Sequence, residues 1–338
     1  MSKQKSPSRA HSPVPYEKLT PECLFDAVET TGIRCDGRLN TLNSYENRVY
    51  QVWLESGEPR VVKFYRPHRW TEAAIEEEHD LALEMLAAEL PVVAPILLNG
   101  HTLHQANGFF FALYPLQGGR APEFEDDETL KGLGRFIARM HLVGGVRDFE
   151  VRPSFNCEEF GYEPVEFLLQ GDFIPMDLRL AYESTVNDVL NRVSRRWDEA
   201  GAFNYLRLHG DCHAGNILCT EAGVHFVDLD DARMGPAIQD IWMWLGGERE
   251  IQQQRLLTII EGYKQFESFN STELLLIEPL RTLRMIHYAG WLAKRWQDPT
   301  FPRCFPYFNT QRYWQDHILA LREQAAALDE PPLELNPW

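Results

Sequence analysis

The sequence predicts an α+β protein with two lobes, in which a small β-rich N-terminal lobe precedes a larger α-rich C-terminal lobe. The chain has 338 residues, more than a single average core accommodates, so two lobes or domains are expected. Strand-like patterns are concentrated before residue 115, whereas long segments with helical periodicity follow it. We therefore assign residues 17–114 to the first lobe and residues 115–338 to the second.

The first lobe is expected to begin after a disordered tail, because residues 1–16 are rich in Ser, Pro and basic residues and lack periodicity. A helix-compatible segment follows from Pro21 to Thr31. A β-hairpin is predicted next. Apolar and polar residues alternate loosely from Tyr45 to Leu54, turn-forming residues follow at 55–59, and residues 60–65 have the pattern of a strand.

After the hairpin the sequence predicts a helix from Thr71 to Leu90, which is rich in Glu, Ala and Leu and has Thr71 as its start. The apolar run Phe109–Pro115 is typical of a buried strand, and it ends at a proline. We place the connection between the lobes at about Leu113 to Leu116. The second lobe follows, and its periodic segments predict helices over 129–143, 177–200, 255–266, 271–296 and 311–328.

The most informative polar residues lie between Leu208 and Asp231, where the sequence reads LHGDCHAGNIL and then, after a turn-rich stretch, FVDLDD. In protein kinases one aspartate accepts the proton of the substrate hydroxyl, an asparagine five residues later holds one Mg²⁺, and another aspartate holds the metal that bridges the phosphates. Here these roles fall to Asp211, Asn216 and Asp228. The order and spacing of the three residues predict a phosphotransferase that depends on ATP and Mg²⁺.

A second small hairpin is predicted between two of these residues, because the turn-rich residues 220–223 separate two short apolar runs. Such a hairpin brings Asn216 and Asp228 to the same end. Two hard oxygen ligands suit Mg²⁺, which usually takes one or two protein oxygens together with substrate phosphates and water.

Two other kinds of site could use the same residues. A two-metal hydrolase site could be built from His209, Asp211, His213, Asp228, Asp230 and Asp231. That site leaves the Leu-His-Gly-Asp and Asn-Ile-Leu pattern unexplained. Backbone capping in a turn could explain any one of the residues, but it does not explain the ordered set. Arg281, Arg284, Arg295 and Trp296 could line a substrate cleft, and an ordinary helix face explains them equally well.

The segment Leu206 to Asp231 resembles the catalytic and metal-binding loops of the aminoglycoside phosphotransferase and choline-kinase-like branch of the protein-kinase superfamily, which carries His-Gly-Asp-x-His-x-x-Asn. Further matches resemble the bacterial stress response kinase A family. These are NSYENRVY at 43–50, VVKFYRP at 61–67, VDLDDAR at 227–233 and IEPLR at 277–281. The likeness runs from about Thr20 to Pro332.

The resemblance implies a bilobal protein-kinase-like fold and the positions of further site residues. Lys63 follows two valines, as does the phosphate-pairing lysine of kinases, which also pairs with a glutamate on the next helix. We choose Glu77 as that partner, with Glu78 close behind; the alternative is that Glu76 to Glu78 are all solvated. No Gly-x-Gly-x-x-Gly loop is present; the resemblance implies that Ser44 and its neighbours cover ATP. His213, Asp230 and Asp231 are expected to support the site.

The residues alone do not distinguish which class of molecule accepts the phosphoryl group. The resemblance implies phosphorylation of serine or threonine in proteins, linked to survival under stress. A small-molecule hydroxyl kinase and a non-catalytic nucleotide-binding regulator are the alternatives. The complete set of Lys63, Asp211, Asn216 and Asp228 counts against the regulator. Hydroxyl-bearing residues in the N-terminal tail make self-phosphorylation physically feasible; they are Ser2, Ser6, Ser8 and Ser12.

Composition limits the remaining function classes. A net charge of −17 argues against broad nucleic-acid binding. No apolar run is long enough for a membrane span, and the start lacks the apolar region of a signal peptide, so a cytoplasmic location is expected. The protein is also expected to be a monomer. The six cysteines include no Cys-x-x-Cys pair, which favours reduced thiols over a zinc or redox motif.

Overall fold

The N-terminal lobe is built on a five-stranded antiparallel sheet. The computed structural model describes residues 15–221 and 223–336. The strands are β1 (Cys35–Thr41), β2 (Arg48–Leu54), β3 (Pro59–Phe64), β4 (His104–Ala106) and β5 (Phe109–Pro115). Their order across the sheet is β1-β2-β3-β5-β4. The predicted hairpin is therefore present as β2 and β3, and its register pairs Val49 with Lys63.

Two strands of this sheet were not predicted from the sequence. Strand β1 reads CDGRLNT and lies at one edge of the sheet, where most of its residues are exposed. It therefore lacks the apolar alternation that marks a half-buried strand. Strand β4 lies at the other edge and has only three residues. The predicted tail of residues 1–16 falls almost wholly outside the described residues, although Tyr16 packs against the core of this lobe.

Two helices pack in the N-terminal lobe, and the sequence predicted both. Helix α1 (Pro21–Glu29) begins after Thr20, whose side chain accepts a hydrogen bond from the Cys23 amide. Helix α2 (Glu72–Ala87) begins after Thr71, which caps it in the same way and confirms the predicted start. The C-terminal part of α2 packs into the core of the second lobe, so this helix contacts both lobes.

The C-terminal lobe is mainly helical, as predicted. Its helices are α3 (Asp127–Gly144), α4 (Glu163–Gln170), α5 (Met176–Ala200), α6 (Arg249–Tyr263), α7 (Ile277–Lys294), α8 (Thr300–Cys304) and α9 (Gln311–Asp329). No helix within the described ranges is long and apolar enough to cross a membrane. The observed architecture is thus the bilobal, kinase-like α+β fold that the sequence predicts.

One predicted helix, over residues 271–296, is divided in the structure. Residues Ser271–Leu276 form a 3₁₀-helix, and α7 begins only at Ile277. Pro279 explains this start, because proline has no N–H to donate and fits an α-helix only in its first turn. Helix α7, the second part of the divided helix, lines the cleft between the lobes.

Short strands in the C-terminal lobe carry the loops that matter for function. Strand β6 (Leu206–Leu208) pairs with β9 (Arg233–Gly235). Strand β7 (Ile217–Thr220) pairs with β8 (Gly223–Phe226), which is the second hairpin predicted from the sequence. All four strands lie next to polar residues of the segment between Leu208 and Asp231.

Candidate active site

A cleft of about 960 Å³ is lined by residues of both lobes. The N-terminal lobe contributes the loop that joins β1 to β2, and strand β3. The C-terminal lobe contributes the loops that follow β6 and β8, and one face of α7. The cleft therefore gathers the segments that the sequence marked as candidates.

The loop that follows β6 is held in place from below by Asp240. The two oxygens of its fully buried carboxylate accept hydrogen bonds from the backbone N–H groups of His209 and Gly210, both at 2.8 Å. Gly210 has φ +85°, and a Cβ at this position would lie 2.1 Å from the Asp231 carbonyl oxygen. Only glycine fits there, so the close approach of the two loops depends on it.

The loop positions Asp211 at the surface of the cleft, where its side chain is 24 % exposed. One carboxylate oxygen forms an ion pair with Arg284 from α7. The other lies 3.6 Å from His213 Nε2, and burial lowers the pKa of His213. The backbone carbonyl oxygen of Asp211 accepts a hydrogen bond of 3.0 Å from Asn216 Nδ2.

The hairpin β7–β8 brings Asn216 and Asp228 to one end, as the sequence predicted. Ile217 pairs with Phe226, and the Val227 amide donates to the Asn216 carbonyl oxygen at 3.0 Å. Asp228 adopts a left-handed backbone conformation with φ +62° and ψ +68°, and its side chain is 53 % exposed. Few residues other than glycine adopt this conformation, and those that do are often functional.

These two residues fit a hard divalent cation. The Asn216 amide group uses its nitrogen to bind the Asp211 carbonyl, which leaves its oxygen available as a ligand. Asp228 supplies a half-exposed carboxylate. Within residues 15–221 and 223–336, no three His, Cys, Asp or Glu side chains converge as a metal-ligand group. An amide oxygen and a carboxylate are donors that suit a cation which takes few protein oxygens and completes its shell with phosphates and water.

Lys63 is surrounded by three carboxylates. Its Nζ atom lies 3.1 Å from Asp228, 3.3 Å from Glu78 and 3.3 Å from Asp230. Burial alone would lower the pKa of the lysine, but the carboxylates of Asp230, Glu78 and Asp228 raise it well above its ordinary value. Lys63 is therefore a fixed positive charge in a buried position on β3.

The predicted pairing of Lys63 with Glu77 is wrong, because the structure pairs the lysine with Glu78. Glu78 lies on the buried face of α2 and is also bound by Arg152 Nη2 at 3.2 Å. Adjacent helical residues point about 100° apart, so Glu77 faces away from Lys63. Its carboxylate accepts hydrogen bonds from three successive backbone amides at residues 150–152, at 2.6–3.1 Å.

Asp230 and Asp231 support the site, and Arg69 joins them. The Arg69 guanidinium forms ion pairs with both carboxylates. Burial opposes ionisation of Asp230, but Arg69 and Lys63 hold the pKa of its carboxyl below the usual range. Asn47 Nδ2 also donates to Asp230, at 3.0 Å. Arg69 and Asn47 were not predicted as site residues, although Asn47 lies in the segment 43–50 and Arg69 follows the segment 61–67 by two residues.

Ser44 lines the cleft. Its hydroxyl donates to the Asn47 carbonyl oxygen at 3.0 Å. The Asn47 side chain accepts from the Arg66 amide at 3.0 Å. These bonds fix the conformation of the loop 43–47, which contains no glycine.

The same loop and two arginines that bind it, Arg48 and Arg66, are attached to the C-terminal lobe by a group of contacts that we call the Asp298 clasp. The buried Asp298 carboxylate receives Arg66 at 3.1 Å and Arg48 at 3.6 Å. Glu46 is bound by Trp291 Nε1 at 2.6 Å and by Arg295 at 2.5 Å. The clasp joins the first lobe to the C-terminal end of α7 and the residues after it.

The sequence did not decide whether four residues in or next to α7 line the cleft or pack against other helices, and the structure assigns two to each role. Arg284 and Arg295 line the cleft. Arg281 pairs with Glu278 at 3.6 Å and Trp296 packs on Phe308, so these two residues serve the helical packing. His141 packs inside the lobe, where it contacts Tyr263 and Asp240.

Comparison with known proteins places these features in a family context. Residues 39–275 match the model of the family described as "Phosphotransferase enzyme family". The chain is 45 % identical over 322 residues to stress response kinase A of Escherichia coli strain K12, a match that covers 95 % of this chain and 97 % of that protein. It is 44 % identical over the same length to a Salmonella typhimurium protein named serine/threonine protein kinase RdoA, with the same coverage.

Solved structures share the fold at much lower sequence identity. A structure titled "Amicoumacin kinase hAmiN in complex with AMP-PNP, Ca2+ and Ami" superposes with a TM-score of 0.71 at 18 % identity and covers 96 % of both chains. A microcompartment-associated aminopropanol kinase superposes with a TM-score of 0.69 at 14 % identity, covering 93 % of this chain and 99 % of that one.

Proposed function

The chain belongs to the phosphotransferase enzyme family and, within it, to the stress response kinase A family, and from this membership we propose that it transfers the γ-phosphoryl group of ATP to serine or threonine hydroxyls of proteins. The observation that carries the proposal is the meeting of Lys63, Asp211, Asn216 and Asp228 in one cleft between the lobes. The relatives named as kinases, one of them as a serine/threonine protein kinase, support the acceptor class.

In this proposal Lys63 binds the α- and β-phosphates of ATP, and Glu78 holds the lysine in place. Asn216 and Asp228 are the residues that would hold Mg²⁺, which when bound neutralises charge on the phosphates. Ser44 and the rest of the loop 43–47 cover the nucleotide. Most of the rate enhancement then comes from placement and from charge neutralisation.

The transfer itself requires one bond to form and one to break. The acceptor hydroxyl oxygen attacks the γ-phosphorus, and the bond between that phosphorus and the β–γ bridging oxygen breaks. The bonding electron pair leaves with ADP, and the hydroxyl proton passes to the Asp211 carboxylate. Asp211 is suited to this role because its side chain reaches the cleft surface and its loop is fixed by Asp240.

The proposal is tested by a transfer assay with ATP labelled at the γ-phosphate. The acceptors are the protein itself, a generic protein, and a panel of aminoglycosides, choline and sugars. We expect label on serine or threonine of protein, and we expect the rate of labelling to fall by about a hundredfold or more when the Asp211→Ala variant is used. Label on small alcohols alone, with no phosphoserine or phosphothreonine detected by mass spectrometry, would show a small-molecule kinase instead.

A further inference from the structure

Arg284 binds Oδ1 of Asp211, an oxygen of the carboxylate that accepts the proton in the proposed reaction. Its guanidinium forms an ion pair with the Asp211 carboxylate, the group to which the acceptor proton passes. The carboxylate oxygen that binds the guanidinium is not free to accept the hydrogen bond of an acceptor hydroxyl. The acceptor hydroxyl can therefore use Asp211 fully only when Arg284 has another anion to bind.

Arg284 belongs to a row of side chains on α7 that runs along the cleft, which we call the stripe. The stripe consists of Arg284, Tyr288, Trp291 and Lys294, which follow one another at spacings of four, three and three residues and all line the cleft. Such spacings place side chains on one helical face. With a rise of about 1.5 Å per residue, the stripe is about 15 Å long, which is the length of four or five residues of an extended peptide.

The charges on this stripe differ from the other cations in the cleft. Arg233 is paired with Glu159 at 3.1 Å, and Arg295 with Glu46 at 2.5 Å. Lys294, in contrast, has no carboxylate within 4.0 Å among the residues that the structure describes. Arg284 has only the proposed proton acceptor, and its side chain is 45 % exposed. The stripe therefore presents two cations that an acceptor can use.

We propose that the preferred acceptor is a serine or threonine in an acidic segment, with a side-chain carboxylate near the hydroxyl that binds Arg284 and frees Asp211. A second carboxylate farther along the segment binds Lys294, and the rings of Tyr288 and Trp291 support the chain between them. This inference rests on the proposed protein-kinase function. The net charge of −17 repels acidic proteins at long range, so selection depends on these local contacts.

The experiment compares peptides that contain one serine and differ at a single flanking position, which carries Asp, Asn or Lys in turn. Each position on either side of the serine is scanned with the wild-type enzyme and with Arg284→Gln, Arg284→Lys and Arg312→Gln. Arg312 is the matched control, because it is an exposed arginine on α9 that pairs only with Asp316 among the described residues. The melting temperature of each variant verifies that it is folded.

We expect kcat/KM of the wild-type enzyme to be about tenfold higher for Asp than for Asn at one or more positions beside the serine. Arg284→Gln should lose this preference, largely through KM for the Asp peptide, whereas Arg284→Lys should keep most of it. Arg312→Gln should behave as the wild-type enzyme.

Two results would overturn the inference while leaving the protein-kinase function intact. One is phosphorylation by the wild-type enzyme without any preference for Asp. The other is an equal loss in Arg284→Gln on all peptides and on ATP hydrolysis by water, which would make Arg284 a contact of the transferred phosphoryl group. If no peptide or protein accepts phosphate but a small alcohol does, the proposed function itself fails, and the inference fails with it.

Discussion

The charged residues on the two sides of the cleft differ in burial and in the strength of their ion pairs. On the Lys63 side, Lys63, Glu78 and Asp230 are nearly fully buried and every carboxylate has a cation partner. On the Asp211 side, Asp211 and Arg284 are partly exposed and bind each other. Burying an unpaired charge is strongly unfavourable, whereas an exposed ion pair contributes little. The first side is therefore preformed, and the second can exchange partners.

The comparison explains how one fold can serve many acceptors. A preformed charge network suits a constant ligand, because its groups need no rearrangement when the ligand binds. A weak, exposed pair suits a variable ligand, because a new anion can displace one partner at small energetic cost. We therefore expect nucleotide binding to depend on the Lys63 side and acceptor choice to depend on the Asp211 side. The following predictions test that division.

The largest expected effect is that of metal removal. Chelation of divalent cations by EDTA should abolish phosphoryl transfer, and Mg²⁺ or Mn²⁺ should restore it, because Asn216 and Asp228 offer hard oxygen ligands. Elemental analysis of the purified protein should show no bound zinc in stoichiometric amount. Zinc that copurifies and is required for activity would contradict both the assignment of these ligands and the division of the cleft.

Substitution of the two aspartates separates binding from chemistry. Asp211→Ala should lower kcat by about a hundredfold or more and leave the Kd for Mg·ATP nearly unchanged, since a general base contributes about 10²–10⁴ to the rate. Asp228→Ala should instead weaken nucleotide binding that depends on the metal. Isothermal titration and steady-state kinetics measure the two effects. The same loss of ATP affinity in both variants, with no other change, would refute the assigned roles.

Glu273 tests the support beneath the Asp211 side. Its carboxylate accepts from the Ile238 amide at 3.0 Å and so holds the turn that carries Asp240. Burial raises the pKa of Glu273 to about 7, against the opposing effect of backbone amides. The folded protein therefore binds this proton more tightly than the unfolded chain does. The contribution to stability is complete below about pH 4.5 and is lost as the pH rises through about 7.

The size of this loss follows from the pKa difference. It should be on the order of 3–4 kcal/mol in the free energy of unfolding, since the shift from 4.5 to about 7 is about 2.5 pKa units and one unit corresponds to about 1.4 kcal/mol. Urea unfolding of the wild type at several pH values measures it. Glu273→Gln should remove this part of the pH dependence, because the amide does not titrate. An unchanged slope in the variant would show that Glu273 is not the responsible group.

The smallest expected effect distinguishes two neighbours on α2. Glu78→Gln should weaken ATP binding about tenfold, because Lys63 loses one of its charged partners. Glu77→Gln is the matched control and should leave ATP affinity within about twofold, since its side chain binds the backbone at residues 150–152. Its effect should appear in the melting temperature. The reverse pattern would restore Glu77 as the partner of Lys63.

This pair of residues also shows what the sequence could and could not predict. The helix itself and its start at Thr71 follow from local composition and capping. The choice between Glu77 and Glu78 depends on helical phase, and a signal for it was present. Ala74, Ala82 and Met85 lie at spacings of four and seven residues from position 78, and all are buried. The apolar face of α2 therefore points to Glu78.

Contacts between distant parts of the chain could not be predicted from the sequence. The hairpin β7–β8 and the order of Asp211, Asn216 and Asp228 are local features, which is why they could be predicted. The pairing of Arg284 with Asp211 joins residues 73 positions apart. Only the packing of α7 against the cleft decides it. Strand β1 was missed for a different reason, since an exposed edge strand needs no apolar alternation.

The Asp298 clasp has a consequence for turnover. On the proposed function, the loop 43–47 covers ADP after transfer, so the product can leave only when this loop lifts. Lifting it breaks the contacts of Glu46 with Trp291 and Arg295. Arg48 and Arg66 bind backbone carbonyls of this loop and are themselves paired with the buried Asp298 carboxylate, which cannot remain unpaired at low cost. The clasp should therefore open as a unit, and we expect product release to limit the rate of each catalytic cycle. A fast first turnover followed by a slower steady state is the kinetic signature of such an enzyme.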